Sequence, residues 1–301
     1  MIQKTDVAMY AAKRNKLGYA LYSKNFHQHS SRRLTLMGEL RKAINNDELM
    51  LHFQPKVISE DGKLHAAEAV VRWDYPTHGI LPPNEFIPLA ERTGLMEELT
   101  IWVLQNGLRQ GADWHKEKMH IGIAVNVSAR CLHNPEFPER LRGLLSSCSF
   151  PADSLFMEIT ETSIMVDPER SLAILDRIHK TGINFSIDDF GTGYSPLAYL
   201  KKLPVSELKI DKSFVMDMLT NESDKTIVNA TIQLGHNLGL KVVAEGVENH
   251  EIFNTLRLMG CDLQQGCFIG EPLPPEAIRT WIFQDLALPR KNTGEEYQDS
   301  F

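Results

Sequence analysis

Phe185-Ser186-Ile187-Asp188-Asp189-Phe190-Gly191-Thr192-Gly193-Tyr194-Ser195 is the stretch on which the fold turns. Its first half is a short apolar run ending in two adjacent aspartates, and its second half is a glycine-rich turn. A strand that stops in carboxylates and passes straight into a flexible loop suits metal or acid–base chemistry on an α/β scaffold. The strand fixes the carboxylates and the loop closes over a ligand. Asp-Asp before glycine is also ordinary turn chemistry, so the flanking segments have to decide between the two.

Strand and helix signals alternate on both sides. Upstream, Leu155–Thr160 reads as a strand and Pro168–Lys180 as a helix closed by Gly182, leading into a strand at Ile183–Asp188. Downstream, a helical Ser195–Lys202 precedes strand Val205–Ile210, helix Asp224–Leu238 and strand Leu240–Ala244. Helix Asn249–Met259, strand Asp262–Gln265 and helix Pro275–Gln284 follow. Nearer the start, strands are expected at Leu51–Val57, Leu64–Arg72 and His120–Asn126, with helices at Phe86–Arg92, Glu97–Lys118 and Pro135–Ser147. Tyr75–Pro88 reads as a long proline-rich loop, and residues 30–49 as an amphipathic helix carrying Leu34, Leu36, Met37, Leu40 and Ala43. About eight strands with intervening helices over roughly 230 residues suit a (β/α)8 barrel. The short turn Glu60-Asp61-Gly62 joins the first two strands, so the first strand should run antiparallel in a modified TIM barrel.

Strand ends converge on one face of such a barrel. Glu68, Asn126, Glu158, Asp188 with Asp189, Lys209, Glu245 and Gln265 stand at or near them. Crowded carboxylates cannot all stay ionised without a compensating charge. Oxygen donors without cysteine or histidine point to magnesium or manganese. The number of carboxylates suits two ions sharing one, as in enzymes that hydrolyse phosphate esters. Lys209, inside an apolar strand where a structural lysine is unusual, could hold a nucleophile or stabilise a transition state. Arg72 shares the face of Glu68 by period two and suits a phosphate or a guanine edge. Glu161, just past its strand, could anchor the loop at 189–195.

Composition agrees. The 301 residues are 43% hydrophobic and 24% charged, enough for a sizeable core. The formal net charge of −7 argues against a duplex nucleic-acid binder. Cys131, Cys148, Cys261 and Cys267 show no CxxC spacing, so reduced thiols in a cytoplasmic domain are expected rather than a zinc site. No run reaches transmembrane length, and no signal peptide opens the chain.

The span from about Leu51 to Leu273 resembles the EAL domain family of cyclic di-GMP phosphodiesterases. The resemblance rests on nine blocks in order: FQPKV (53–57), AEAVVRW (67–73), FIPLAERTGL (86–95), NVSA (126–129), MEITET (157–162), IDDFGTGYS (187–195), LKIDKSFV (208–215), VVAEGVEN (242–249) and QGCFIGEPLP (265–274). It implies hydrolysis of cyclic di-GMP to linear pGpG with two Mg²⁺ or Mn²⁺ ions. Glu68, Asn126, Glu158 and Asp188 should hold one ion. Asp188, Asp189 and Glu245 should hold the second, with Asp188 bridging. Lys209 should contact the nucleophilic water, and Glu245 is the candidate general base. Gln54, Arg72 and Asp211 should contact the dinucleotide, Gln265 should support the metal–water network, and Glu161 should position the loop, with Glu248 in a related supporting part. A homodimer is also implied.

The resemblance has departures. The family tripeptide is Glu68-Ala69-Val70, with valine in place of leucine. Lys56 stands where an apolar residue is usual, Ala66 where glycine is common, and Asp74-Tyr75 and Glu271 also differ. None removes a metal ligand. A non-catalytic cyclic di-GMP receptor is the alternative these changes suggest, and a carboxylate-pair glycosidase would leave Lys209 unexplained. Residues 6–22, DVAMYAAKRNKLGYALY, resemble the end of a GGDEF domain. Residues 1–29 are therefore expected to be the remnant of such a domain and a linker, 30–288 the EAL domain, and 289–301 a polar tail. Upstream GGDEF and sensor domains, and a membrane anchor beyond them, follow as expectations.

Overall fold

The computed structural model describes residues 36, 38–46, 48–191 and 197–283. The segments expected at Asp6–Arg14 and Tyr19–Tyr22, residues 192–196 of the glycine-rich loop and the tail from Pro289 lie outside the described residues. Nine strands are described: β1 (Leu49–Ile58), β2 (Leu64–Tyr75), β3 (Gly79–Leu81), β4 (Gly122–Asn126), β5 (Leu155–Thr160), β6 (Asn184–Phe190), β7 (Glu207–Ile210), β8 (Lys241–Ala244) and β9 (Leu263–Gln265). The chain divides into two compact units, residues 51–70 with 100–301 and residues 1–50 with 71–99.

The larger unit holds the barrel. Its strands run in the order β1-β9-β8-β7-β6-β5-β4-β2, and β1 also pairs with β2, which closes the ring at eight strands. Neighbours from β2 to β9 pair in parallel, whereas β1 pairs antiparallel with β9, with Lys56 opposite Gln265. The turn after β1 explains the reversal. Gly62 takes a φ of 69°, and the Ile58 and Lys63 backbones hydrogen-bond across it at 2.9 Å. This is the reversed first strand read from Glu60-Asp61-Gly62.

Alternation along each strand sorts the side chains. Val57, Ile210, Val242 and Ala244 face out and pack under Val228 and Ile232 of helix Glu222–Asn237 and Ile252, Phe253 and Leu256 of helix His250–Leu258. Phe53 meets Trp114 edge-on with centroids 4.8 Å apart. Ala66, Ala124 and Phe156 form an apolar cluster of their own, two residues before Glu68, Asn126 and Glu158. Each of those three strands thus places an apolar side chain below a polar one on the same face.

Three short helices at strand ends are absent from the pattern reading: Ala129–Leu132 after β4, Glu161–Met165 after β5 and Lys212–Asp217 after β7. They are too short for periodicity to register. Local caps set two of them, with Thr160 accepting from the Ser163 N–H and Asp211 from the Ser213 N–H.

In the smaller unit the expected long loop Tyr75–Pro88 is corrected. β3 pairs antiparallel with the end of β2, Trp73 opposite Leu81 and Tyr75 opposite Gly79, and helix Pro83–Thr93 already begins at Pro83. Proline suits that first turn, where its missing N–H costs nothing. Trp73 is buried against Phe86, edge-on at 5.8 Å. The described part of the amphipathic helix, 38–45, buries Leu40 and Ala43, and its Glu39 accepts from Tyr75 Oη at 2.6 Å.

Candidate functional site

On a regular strand Asp188 and Asp189 would point to opposite faces. β6 avoids this with a kink. Its register with β7 shifts between Ile187 and Phe190, and Asp189 adopts the left-handed φ of 55°. Aspartate is among the few side chains that tolerate this region. The Asp189 N–H donates to Asp188 Oδ1 at 3.0 Å, and both carboxylates come together with Glu245, their ligand atoms all within 4.8 Å of one another. Glu245 follows β8 directly, and its N–H donates to the Ile210 carbonyl at 3.2 Å. The next residue, Gly246, has a φ of 71°, and a Cβ there would lie 2.6 Å from Lys212 Cβ. The chain can leave Glu245 in this direction because that residue is glycine.

Lys209 sits at the centre, buried, with its ammonium 2.5 Å from Glu245, 2.8 Å from Glu158 and 3.2 Å from Asp188. Burial alone would lower its pKa, but Glu158, Glu245 and Asp188 outweigh burial and hold it well above the usual lysine value. On the other side of the mouth, Glu68 accepts from Asn126 Nδ2 at 2.7 Å and from Gln265 Nε2 at 2.6 Å. Gln265 also donates to Gln54 Oε1 at 3.1 Å, and Gln54 donates to the Gly270 carbonyl at 3.1 Å.

These carboxyls hold their protons more tightly than free ones. Burial pushes Glu158 up to about 8, against the pull of Lys209. Burial likewise raises Glu245 to about 7, and burial with Asp188 and Asp211 nearby raises Asp189 to about 6. Such a set favours a divalent cation that would replace the missing counter-charge. Its all-oxygen donors fit a hard ion such as magnesium or manganese. Asp188, Asp189 and Glu245, expected to share one ion, lie together. Of the other expected group, Glu68 lies against Asn126 and Gln265, and Glu158 and Asp188 share the ammonium of Lys209.

The remaining sequence-derived residues lie as follows. Asp211 caps helix Lys212–Asp217 and shares a hydrogen bond with Asp189. Glu161 is buried at the first position of helix Glu161–Met165. Most of the loop it was expected to anchor lies outside the described residues. Glu248 is exposed between β8 and helix His250–Leu258. Arg72 belongs to the smaller unit, where Nη1 donates to the Val71 carbonyl at 3.1 Å.

Sequence reasoning missed Lys56 and Glu207. Lys56 is fully buried and pairs with Glu207 at 2.9 Å and with Glu158 at 3.5 Å. Burial would raise Glu207, but Lys56 and His65 overcome it and hold the carboxyl down at about 2. A signal was present: a lysine within an apolar strand, the same signal that singled out Lys209.

Comparison with known proteins gives the family. Residues 37–272 match the family model described as EAL domain. The bifunctional diguanylate cyclase/cyclic di-GMP phosphodiesterase MucR of Pseudomonas aeruginosa is 40% identical over 282 residues, covering 91% of this chain and 40% of that protein. The cyclic di-GMP phosphodiesterase NbdA of the same organism is 36% identical over 286 residues, covering 94% of this chain and 36% of that protein. The chain therefore spans well under half the length of either relative. A solved structure, the PaMucR phosphodiesterase in complex with c-di-GMP, superposes with a TM-score of 0.78 at 41% identity, covering 81% of this chain and 99% of that one.

Proposed function

We propose that this chain, which belongs to the EAL domain family, hydrolyses one phosphodiester bond of cyclic di-GMP to give linear pGpG. The observation that carries the proposal is Lys209 set among Glu158, Asp188 and Glu245, beside the close cluster of Asp188, Asp189 and Glu245. Fully ionised, the five carboxylates with one lysine carry an excess of four negative charges, which two divalent cations would cancel. Glu68, Asn126, Glu158 and Asp188 would hold one Mg²⁺ or Mn²⁺, and Asp188, Asp189 and Glu245 the other. Bound cations supply Lewis acidity toward the phosphate and lower the pKa of the attacking water.

The protein's own groups do the rest. Lys209 orients the attacking water and balances charge that builds on the phosphate. Glu245 is the candidate to accept a proton. Asn126 and Gln265 hold Glu68 in one rotamer through both of its oxygens. Gln54, Asp211 and Arg72 contact the dinucleotide in this proposal, Glu161 positions the loop after Asp189, and Glu248 supports it. The test is incubation with cyclic di-GMP and Mg²⁺ or Mn²⁺. We expect pGpG to appear, and Glu68→Ala to abolish it. Absence of product at near-stoichiometric protein would overturn the proposal, and tight binding in chelator without turnover would replace it with a receptor.

A further inference from the structure

Two lysines approach Glu158, one at each oxygen. Oε2 lies 2.8 Å from Lys209, and Oε1, which has no hydrogen-bond partner among the described residues, lies 3.5 Å from Lys56. Lys209 has an evident place in the chemistry. Lys56 does not: it comes from the reversed strand β1, is fully buried, and has the ring of Phe156 5.2 Å from its ammonium. Its main partner is Glu207, 2.9 Å away, whose other oxygen faces His65 at 3.4 Å.

A buried ion pair is a poor device for stability alone, since apolar side chains of the same volume serve as well or better. Lys56 with Glu207 needs another justification, and its approach to Glu158 offers one. Glu207 cancels the charge of Lys56. The ammonium can therefore direct Glu158 without adding net positive charge that would compete with cations for the mouth. Groups that hold a ligating side chain from behind fix its orientation and sharpen its affinity.

We propose that Lys56, anchored by Glu207, is a positioning residue for Glu158. It holds Oε1 from below and leaves Oε2 turned to the mouth as a metal ligand. This rests on the reading of Glu158 as a metal ligand, and needs no assumption about the substrate.

The experiment compares wild type with Lys56→Met and with the double variant K56M/E207Q, which removes both charges and strands neither. Mn²⁺ affinity is measured by titration calorimetry on metal-free protein, with folding checked by circular dichroism. Both variants should bind Mn²⁺ about 10–100-fold more weakly, with KM for cyclic di-GMP unchanged at saturating metal. A folded double variant with wild-type Mn²⁺ affinity would overturn the proposal. A crystal structure of the wild type with Mn²⁺ tests it without any variant. Glu158 should keep Oε1 on Lys56 while Oε2 meets the metal, and a carboxylate swung off Lys56 with both oxygens on the metal would overturn it. Weakened Mn²⁺ binding in the variants together with no hydrolysis by wild type would support the positioning role and sink the phosphodiesterase reading alone.

Discussion

Lys209 has three carboxylates around its three ammonium protons. Removing it strands buried acids that already resist ionisation. Lys209→Met should lower turnover on the order of 100-fold or more, read as pGpG released per minute at saturating substrate. The pH dependence has a definite sign. Glu158, Glu245 and Asp189 have folded-state pKa values raised to about 8, 7 and 6. Against unfolded values of 3.8 for aspartate and 4.5 for glutamate, the native state binds more protons than the unfolded chain from about 4 to 8, and this contribution to stability is lost as pH rises across that window. The melting temperature of metal-free protein should drop across this window. Saturating Mg²⁺ or Mn²⁺ should remove most of the slope, and metal affinity should rise with pH because ligation releases the protons. Glu207 behaves in the opposite sense. Its depressed pKa makes a contribution at neutral pH that is lost as pH falls from about 4.5 toward 2.

At the scale of elements, the site depends on two departures from regularity. One is the kink of β6 at Asp189, which turns neighbouring side chains to the same place. The other is the backbone after β8. Gly266, following β9, lies so close to Val247 that a Cβ would fall 2.3 Å from its backbone N and O. Gly266→Ala should cost about 2–3 kcal/mol in denaturant unfolding. It should also reduce turnover, since Val247 is two residues from Glu245 and cannot yield without moving it. Val70, the departure from the family tripeptide, is half-buried on β2. Val70→Leu should change stability by no more than about 1 kcal/mol and leave turnover near wild type. The strands were legible because their alternation is local. The three short rim helices were not, since helices of four to six residues show no period.

For the whole molecule, eight strands closed through a reversed β1 put side chains far apart in sequence into one mouth: Gln54 and Gln265 are 211 residues apart, and Glu158 and Lys209 are 51 apart. The homodimer implied by the family resemblance is a proposal at this scale. Light scattering at high protein concentration should give twice the mass of 34.1 kDa, and a monomeric mass would count against it. Among the described residues no helix is long and apolar enough to cross a membrane.

The count of barrel strands, the reversed first strand and the row of carboxylates at the strand ends follow from the sequence alone. Alternation, turn chemistry and the ends of apolar runs are properties of neighbours along the chain. What the tertiary structure decided is which charges meet. Lys56 looked like a stray substitution in β1 until folding carried it to Glu207 and Glu158. The kink at Asp189 is what turns Asp188 and Asp189 toward Glu245 together, and the sequence carries no sign of it. Those outcomes depend on distances of a few ångströms between distant segments and on the exclusion of water around them, and no local pattern encodes either.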